Sequence, residues 1–546
     1  MLPDGEVKVP PASVAGVQQW MLYLAVFASG MTTLAVELSA SRLLGNVFGT
    51  SNLVWANIIG LILIYLTVGY FIGGRWADRA PRFELLYRII IWGAFASGLV
   101  PLVGRPVLTA AATAVAGFDA GVAVGSFIAI LILFAIPVTL LGCVSPFALR
   151  LSLNDVKNSG KTAGRMYAIS TLGSILGTFA PVLYLIPELG TTQTFEAFSL
   201  VLLLVGLLGL AMQNRRGALR LIWLPLVLIA LTIWALNGPL RPPPPGMSLI
   251  YEKDSAYNYI QVVQYPDRDN SVTRLLLLNE GQGIHSEWNS SQAYFARTWD
   301  FFMAAPFFNA PPYTPTSVKR LCVIGLAAGT IANQYTQAFG GLLIDGIEID
   351  PAIVDAGQRY FAMTEPNLHV IVQDGRLALH QSSRMYDVVA VDAYRVPYVP
   401  WNLTTVEFFQ DVAAHLTSSG VVAINVGRTM NNNTGQEDRR LVEAMTHTMA
   451  AVFPTIWTID VPGSFNTILV ATRQPTSQSN LAANLAGLPE YASPVLKAVL
   501  TSAVQNVRPT VQSTVLFTDD RAPVETIVDS MVINFLTGGG ASQFQK

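Results

Sequence analysis

Acidic residues follow short apolar segments in the C-terminal half of this 546-residue chain. Glu348 ends one such segment, and Asp374 and Asp392 follow two others. Another apolar segment, residues 320–324, comes before these three in the sequence and is followed by a glycine-containing turn, residues 325–330. Carboxylates accept hydrogen bonds from hydroxyl and amino groups, and a well-placed carboxylate can take a proton from an attacking amine. The four segment ends therefore carry the residue types of a site that binds a nucleoside and activates a nucleophile.

Each segment end has a predicted task. Glu348 is placed to accept both hydroxyls of a ribose, and Asp374 could accept the exocyclic amine of adenine, with Gly375 leaving room for the base. Gly325 and Gly329 let the backbone approach a ligand closely. The turn has no lysine or arginine, so the set suits an adenosyl group without phosphates. Asp392 is expected to lie beside the reacting end of the ligand. There its carboxylate could bind a positively charged group or take a proton.

The segments that carry these residues alternate with helical patterns. This alternation predicts a Rossmann-like, doubly wound parallel sheet over residues 317–546, whose ligands bind outside the carboxyl ends of the strands. Strands are predicted at residues 320–324, 341–349, 370–372, 386–391, 421–426 and 467–472. A small β-subdomain, residues 248–316, precedes this domain. It begins with a hairpin whose strands are residues 259–265 and 273–278, and it continues with a helix at about 290–302.

The N-terminal half has a different character. The chain is 52% hydrophobic and 12% charged, against roughly 25% charged for a soluble protein. This composition excludes a disordered chain, a nucleic-acid binder and a purely soluble enzyme. Residues 1–240 are predicted to form a multi-pass membrane domain, joined to the rest by a proline-rich linker, residues 241–247. Seven spans are predicted at about residues 20–41, 53–74, 86–104, 121–145, 166–187, 194–212 and 219–237.

Several details of the membrane domain follow from individual residues. Residues 104–118 are too short to cross and are interpreted as an interfacial or re-entrant helix. Glu37 lies within the first span, where it either has a functional role or makes a structural contact. Gly173 and Gly177 suit close helix packing. Most loop lysines and arginines lie on the side of the N-terminus, which places that end in the cytoplasm of a cell membrane protein. An odd number of spans then predicts that the C-terminal half lies outside the cell. The side of the membrane that this half occupies is left undecided.

Five motifs carry a resemblance to a known family. They are residues 255–260, 325–330, 348–351, 374–376 and 386–392. Together they resemble spermidine synthases and related polyamine aminopropyltransferases, in the bacterial form with a fused N-terminal membrane domain. The resemblance implies a methyltransferase- or aminopropyltransferase-type fold. It also implies transfer of an aminopropyl group from decarboxylated S-adenosylmethionine to an amine, with release of methylthioadenosine. A homodimer is possible by the same resemblance.

The resemblance assigns roles to individual residues. Asp392 would deprotonate and orient the acceptor amine, and Tyr257 would line the reactive centre. Tyr394 begins an aromatic segment directly after Asp392 and is a candidate for contact with a cationic amine. The other candidate acceptor-binding residues are Asn258, Glu280 and Asp300.

One departure from the family pattern leaves alternatives open. Ala328 stands where the family has an acid that binds the aminopropyl ammonium, so ordinary S-adenosylmethionine is also a candidate donor. The alternatives are a methyltransferase or a methylthioadenosine-releasing lyase and, in another class, a transporter or sensor with a nucleoside-binding domain. No metal is expected, because His285, His369 and His380 lack ligand spacing. The expected partners are a small amine, an adenosyl sulfonium compound and the lipid bilayer, and no nucleic acid.

Overall fold

The chain forms two compact units. The computed structural model describes residues 12–48, 52–114, 121–153, 159–236, 242–267, 269–279, 283–394, 398–431, 436–511 and 513–537. The first unit takes in the described residues up to 236 together with 254–256, and the second takes in 242–253 and the described residues from 257 onward.

The described residues of the first unit up to 236 form helices joined by short turns. Seven of its helical stretches are long and apolar enough to cross a membrane. This confirms a helical N-terminal region with seven apolar helices, whereas the number that cross a bilayer stays a prediction. A π-helical turn at Pro181–Leu185 follows the sixth helix. The helices are α1 (Ala12–Phe48), α2 (Asn52–Arg79), α3 (Phe83–Ala114), α4 (Gly121–Gly142), α5 (Val144–Ser152), α6 (Ser159–Ala180), α7 (Ile186–Leu189), α8 (Thr191–Gln213), α9 (Arg215–Leu219) and α10 (Trp223–Leu236).

The separate helix predicted at residues 104–118 is wrong for its described part. Helix α3 continues through Gly104 to Ala114 without a break. Gly104 serves packing here, because a Cβ at this position would lie 3.1 Å from Cδ2 of Leu43 on α1. From the sequence alone, a glycine that allows another helix to pack closely cannot be distinguished from a glycine that ends a helix. Residues 115–118 lie outside the described ranges.

Helix α6 packs closely on α1 through two glycines, as the sequence predicts. A Cβ at Gly173 would collide with the carbonyl oxygen of Phe27, and one at Gly177 with that of Met31. The absent side chains therefore let the two backbones approach each other directly.

The second unit contains an eight-stranded sheet of order β14-β12-β13-β9-β8-β5-β6-β7. Strands β5 to β9 pair in parallel and extend to the β7 edge, with Ile324 of β5 opposite both Ile347 of β6 and Val391 of β8. These five strands confirm the methyltransferase-like parallel arrangement. The strands are β5 (Arg320–Ile324), β6 (Leu343–Glu348), β7 (Leu368–Val372), β8 (Tyr386–Val391), β9 (Leu416–Gly427), β12 (Thr455–Asp460), β13 (Asn466–Thr472) and β14 (Val507–Arg508).

The sheet departs from the predicted all-parallel pattern at one edge. Strands β12, β13 and β14 run antiparallel to their neighbours, and the sequence interpretation did not identify β12 or β14. The connection between β12 and β13 is only residues 461–465. A parallel crossover needs a dozen or more residues, so a connection of this length forces an antiparallel pair.

Apolar cores on both faces hold this sheet. Val323 of β5 belongs to one core, whereas its neighbours Cys322 and Ile324 belong to the other, as expected for alternating side chains of a strand. Helices α12, α17 and α18 contribute to the first core, and α14, α15, α16 and α19 to the second. The helices are α12 (Thr330–Phe339), α13 (Pro351–Tyr360), α14 (Gly375–Gln381), α15 (Val406–Ala414), α16 (Arg440–Ala450), α17 (Ser479–Ala486), α18 (Pro494–Asn506) and α19 (Val524–Thr537).

Two smaller sheets accompany the large one. The first has the order β1-β2-β3-β4, and its β2–β3 pair is the predicted antiparallel hairpin. The second is an antiparallel pair, β10 with β11. The predicted boundaries between the β-subdomain and the α/β domain stay predictions. The strands are β1 (Ser248–Asp254), β2 (Tyr259–Pro266), β3 (Val272–Leu278), β4 (Ile284–Asn289), β10 (Thr429–Asn431) and β11 (Gln436–Asp438).

The helix predicted at residues 290–302 is wrong for its first eight residues. Only α11 (Thr298–Phe302) is helical. The Asn289 side chain accepts a hydrogen bond from the backbone N–H of Ser291 at 2.7 Å, and the Asp300 carboxylate accepts one from that of Arg297 at 2.7 Å. These side-chain acceptors compete with helical hydrogen bonds and fold the segment into turns.

Candidate active site

The carboxyl ends of β5, β6 and β8 meet at one point of the large sheet. The backbone N–H groups of Gly325 and Leu326 both donate to the carbonyl oxygen of Ile347, each at 2.9 Å. The N–H of Asp392 donates to the carbonyl oxygen of Ile324 at 2.8 Å. The order of the strands reverses here, with β6 and β7 on one side of β5 and β8 and β9 on the other. Such a switch point is where ligands of open α/β sheets bind.

The turn after β5 depends on its glycines. Gly325 and Gly329 have φ angles of +86° and +90°, in the left-handed region that favours glycine. A Cβ at Gly325 would lie 2.6 Å from the backbone nitrogen of Ala393, and one at Gly329 would lie 2.8 Å from Sδ of Met363. In this structure the two glycines therefore make room for protein atoms. Their predicted role of admitting a ligand stays a prediction.

Glu348, the last residue of β6, binds the backbone of the glycine turn that follows β5. It is 7% exposed, and its two carboxylate oxygens accept hydrogen bonds from the N–H groups of Ala327 at 2.9 Å and Asp350 at 3.1 Å. Burial raises the pKa of Glu348 to about 7, against the opposing effect of the hydrogen bonds. A carboxylate oxygen has more than one lone pair, so this group can still accept hydrogen bonds from ribose hydroxyls.

Asp374 and Gly375 stand at the start of α14. The Asp374 carboxylate caps this helix by accepting a hydrogen bond from the N–H of Leu377 at 3.0 Å. The space beside Gly375 is taken by Cγ2 of Ile324, so this glycine lets α14 pack on β5. The predicted contact of Asp374 with adenine stays a prediction.

Asp392 follows β8 and is held by side chains from other elements. Its Oδ1 accepts a hydrogen bond from the Asn425 amide at 2.9 Å, and Trp299 provides a second hydrogen bond. Burial raises the pKa of Asp392 to about 7, and the two hydrogen bonds limit that rise. A carboxylate with this pKa is able to accept a proton near neutral pH.

A cavity of about 510 Å³ opens beside Asp392. Two of the predicted site residues, Asp392 and Tyr394, line it, as does Ala327 of the glycine turn. A Cβ at Gly427 would lie 2.5 Å from the Tyr394 hydroxyl oxygen, so this glycine makes room for the tyrosine. Burial, with a smaller effect from Asp392, raises the pKa of Tyr394, which keeps its hydroxyl protonated.

Tyr257, predicted to line the reactive centre, and the remaining predicted acceptor residues that the structure describes are not among the cavity lining. Tyr257 is 41% exposed and is not part of the cavity lining. The Asn258 amide donates to the Asp350 carboxylate at 3.1 Å, which ties the start of β2 to the end of β6. Asp300 is fully buried and accepts hydrogen bonds from the N–H of Arg297 and from Gln334 at 2.6 Å. Burial raises its pKa to about 6. Glu280 lies outside the described residues.

Sequence reasoning missed several residues of the cavity. Asn425 is 5% exposed near the end of the apolar strand β9, and a polar residue in such a strand was the available signal. Its amide oxygen has no hydrogen-bond partner among the described residues. Trp299, Arg428 and residues of α19 also line the cavity. Within the described ranges, no group of three or more His, Cys, Asp and Glu residues is arranged to hold a metal ion.

The sheet order, the glycine turn and the acids at the strand ends define a protein with a spermidine synthase- or methyltransferase-like fold. The chain is 31% identical over 296 residues to a probable polyamine aminopropyl transferase of Bifidobacterium longum, a match that covers 51% of this chain and 62% of that relative. It is 26% identical over 248 residues to the polyamine aminopropyltransferase of Vibrio vulnificus, which covers 44% and 75% respectively. The chain is thus similar in sequence to polyamine aminopropyltransferases.

The similarity to solved structures is weaker. A probable spermidine synthase structure from Corynebacterium glutamicum aligns with a TM-score of 0.37 and 19% identity, covering 49% of this chain and 98% of that one. No protein-family model matches the chain. The chain spans less than two thirds of the length of the Bifidobacterium relative, so that relative's activity is only a proposal for this chain.

Proposed function

We propose that this protein transfers an aminopropyl group from decarboxylated S-adenosylmethionine to an amine and releases methylthioadenosine. The observation that carries the proposal is Asp392, a carboxylate with a pKa raised to about 7 that lines a cavity at the switch point of the sheet. The names of the curated relatives, polyamine aminopropyltransferases, support the same reaction.

The reaction needs one base and good positioning. The acceptor nitrogen attacks the methylene carbon bonded to the donor's sulfonium, so that a C–N bond forms while the C–S bond breaks. The electron pair of the broken bond stays on sulfur, which becomes the neutral thioether of methylthioadenosine. The proton lost by the nitrogen goes to Asp392. Because the sulfonium is already a leaving group, the enzyme contributes mainly deprotonation and orientation.

Asn425 has two tasks in this scheme. Its amide N–H holds the Asp392 carboxylate in place at 2.9 Å. Asn425 lines the cavity, and its buried amide oxygen, which has no partner among the described residues, would accept a second N–H of the amine and orient the nitrogen lone pair toward the donor carbon. Glu348 and Asp374 would hold the ribose and the adenine of the donor, as the strand ends suggest.

We further propose that the seven apolar helices span the cell membrane and anchor the catalytic unit to it. Their length and composition support this proposal. Washing membranes with alkaline carbonate should leave the protein in the pellet, and its release would contradict the anchoring. Labelling of single cysteines placed in the second unit, in intact cells and in lysed cells, would determine the side on which that unit lies. The homodimer stays a prediction that light scattering on the purified protein can test.

Mass spectrometry of the products tests the reaction itself. The full chain is incubated with a panel of amines and either decarboxylated or ordinary S-adenosylmethionine. We expect an aminopropylated amine and an equal amount of methylthioadenosine from the decarboxylated donor only. A methylated product from the ordinary donor would indicate a methyltransferase, and methylthioadenosine without an amine product would indicate a lyase. Either result would contradict the proposal.

A further inference from the structure

The helical first unit buries an acidic side chain that the proposed reaction does not use. Glu196 of α8 is 4% exposed, and neither of its carboxylate oxygens has a hydrogen-bond partner among the described residues. Helix α8 is one of the seven helical stretches that are long and apolar enough to cross a membrane. A charged carboxylate without a partner in such surroundings costs far more free energy than the net stability of a protein. This carboxylate therefore needs a positive charge to neutralise it.

Three helices meet at the Glu196 carboxylate. A Cβ at Gly98 of α3 would lie 3.2 Å from Oε2 of Glu196 and 2.6 Å from Cδ2 of Leu228 on α10. Leu228 is fully buried. The carboxylate thus lies at the junction of α3, α8 and α10, beside a glycine and a leucine side chain. Neither side chain can donate a hydrogen bond to it.

Two hydroxyl groups complete the polar surroundings of this carboxylate. Ser199 follows Glu196 by three residues, which places both side chains on one face of α8. The Ser199 side chain is buried, and its Oγ has no hydrogen-bond partner among the described residues. The hydroxyl of Thr232 on α10 lies close to Glu196 and donates to the carbonyl oxygen of Leu228 at 2.8 Å, so its oxygen can still bind a cation. Carboxylate and hydroxyl oxygens are ligands that hard cations prefer.

No described side chain neutralises Glu196 through an ion pair. Helix α10 carries no titratable residue, and Glu196 is the only one on α8. The titratable residues of α1 and α3, which also pack on α8, are Tyr23, Glu37, Arg42, Glu84, Tyr87, Arg88 and Arg105. Among the described side chains of this set, none forms a hydrogen bond or an ion pair with Glu196. The side chain of Arg105 lies outside the described residues, so a variant tests it below.

We propose that Glu196 is the centre of a binding site for a small monovalent cation in the helical unit. The cation is held by the Glu196 carboxylate and by the hydroxyl oxygens of Ser199 and Thr232. A single carboxylate selects a single positive charge, and a proton and an alkali ion share this chemistry. The site does not depend on the proposed transfer reaction, so the failure of either proposal leaves the other in place.

Thermal unfolding of the full chain in detergent tests the proposal. The wild type is compared with Glu196→Gln, which has the same shape and no charge, in choline chloride at a series of pH values. If the cation is a proton, only the folded protein holds it above a pH of about 4.3, where an exposed glutamate ionises. The melting temperature of the wild type should then fall relative to Glu196→Gln by about 2–4 °C per pH unit. The fall should stop at the pH at which the proton leaves the folded protein.

Replacement of choline by sodium at constant pH and ionic strength tests the alkali ion. If sodium occupies the site, each tenfold increase in its concentration above the dissociation constant should raise the melting temperature of the wild type by about 2–4 °C. Glu196→Gln should not respond. Either response supports the site and identifies its cation. A melting difference between the wild type and Glu196→Gln that changes neither with pH nor with sodium would overturn the proposal.

Glu84→Gln is the matched control in the same unit. The Glu84 carboxylate accepts hydrogen bonds from Arg88 at 2.6 Å and from Asn214 at 3.1 Å, so its charge is already balanced. Its replacement should leave the responses of the wild type to pH and to sodium in place. If Glu196→Gln does not fold, Glu196→Met provides a second uncharged variant of similar size, for which the same responses should be absent.

The sign of the pH dependence separates a bound cation from an ion pair. An ion pair of Glu196 with Arg105 would stabilise the charged carboxylate, so the wild type would gain stability relative to Glu196→Gln as the pH increases. Arg105→Gln would abolish that gain. This pair of results would overturn the proposal. With a cation bound at Glu196, we expect Arg105→Gln to respond to pH and to sodium as the wild type does.

Discussion

The amide nitrogen of Asn425 lies 2.9 Å from the carboxylate of Asp392 and joins the carboxyl ends of two neighbouring strands. The two residues belong to neighbouring parallel strands, one near the end of β9 and the other directly after β8. The relationship orients the carboxylate and limits the rise in its pKa that burial causes. It connects the fold of the sheet to the proposed proton transfer.

Replacement of Asp392 by asparagine tests the proposed base. Asp392→Asn keeps the shape of the side chain but removes the group that accepts the proton. We expect the rate of product formation to fall by about 10²- to 10⁴-fold, the usual contribution of a general base. Methylthioadenosine affinity, measured by calorimetry, should stay within about threefold of the wild type, because the predicted contacts with adenosine lie on Glu348 and Asp374. Turnover that survives with little loss would mean that Asp392 is not the base.

The pH dependence of kcat/KM provides a second test. Below a pH of about 7, Asp392 takes up a proton and can no longer accept one, so kcat/KM should fall as the pH decreases through that value. Asn425→Leu removes a hydrogen bond to the charged carboxylate and should raise the pKa of Asp392. We expect the acidic limb of the profile to move upward by about one pH unit.

The Asn425→Leu profile also separates two carboxylates. Glu348 has a pKa raised to a similar value, about 7, and its protonation could affect donor binding over the same range. Asn425 hydrogen bonds to Asp392, whereas Glu348 is held by backbone N–H groups. An acidic limb that stays in place in Asn425→Leu would therefore assign the limb to a group other than Asp392.

Glu348 provides the test of the nucleoside pocket. Glu348→Gln replaces one acceptor oxygen by a donor amide, which cannot accept from both ribose hydroxyls. We expect calorimetry to show at least a tenfold loss of methylthioadenosine affinity, equivalent to about 1.4 kcal/mol. Glu365→Gln is the control, because this partly buried carboxylate accepts a hydrogen bond from Asn333 and precedes the amino end of β7. Equal affinity of Glu348→Gln and the wild type would reject the assignment of the pocket.

The sequence predicted the structure best where neighbouring residues determine it. Glu348 and Asp392 end buried apolar runs, and the structure brings the ends of those strands together. The sheet edge that contains β12 was not identified, because its pairing with β13 depends on the short connection between them.

The cavity could not be predicted either, because it too depends on how separate segments pack together. Its wall combines Asp392 with Met531, residues that are far apart in the sequence and are brought together only by the packing of α19. The segment before α11 shows a different limit. There, individual side-chain hydrogen bonds from Asn289 and Asp300 prevail over a pattern that is typical of a helix.

The close contact of α6 with α1 leads to a prediction about stability. In Gly173→Ala the added methyl group would collide with the carbonyl oxygen of Phe27, so the two helices would have to separate. Overpacking of this kind costs about 1–3 kcal/mol, and we expect a lower melting temperature in detergent. Gly164→Ala is the matched control in the same helix, because no atom lies within 4 Å of its added Cβ. Alanine favours a helix over glycine by about 1 kcal/mol, so Gly164→Ala should melt at or above the wild-type temperature. If Gly173→Ala melted as high as Gly164→Ala, the direct backbone contact between α1 and α6 would be wrong.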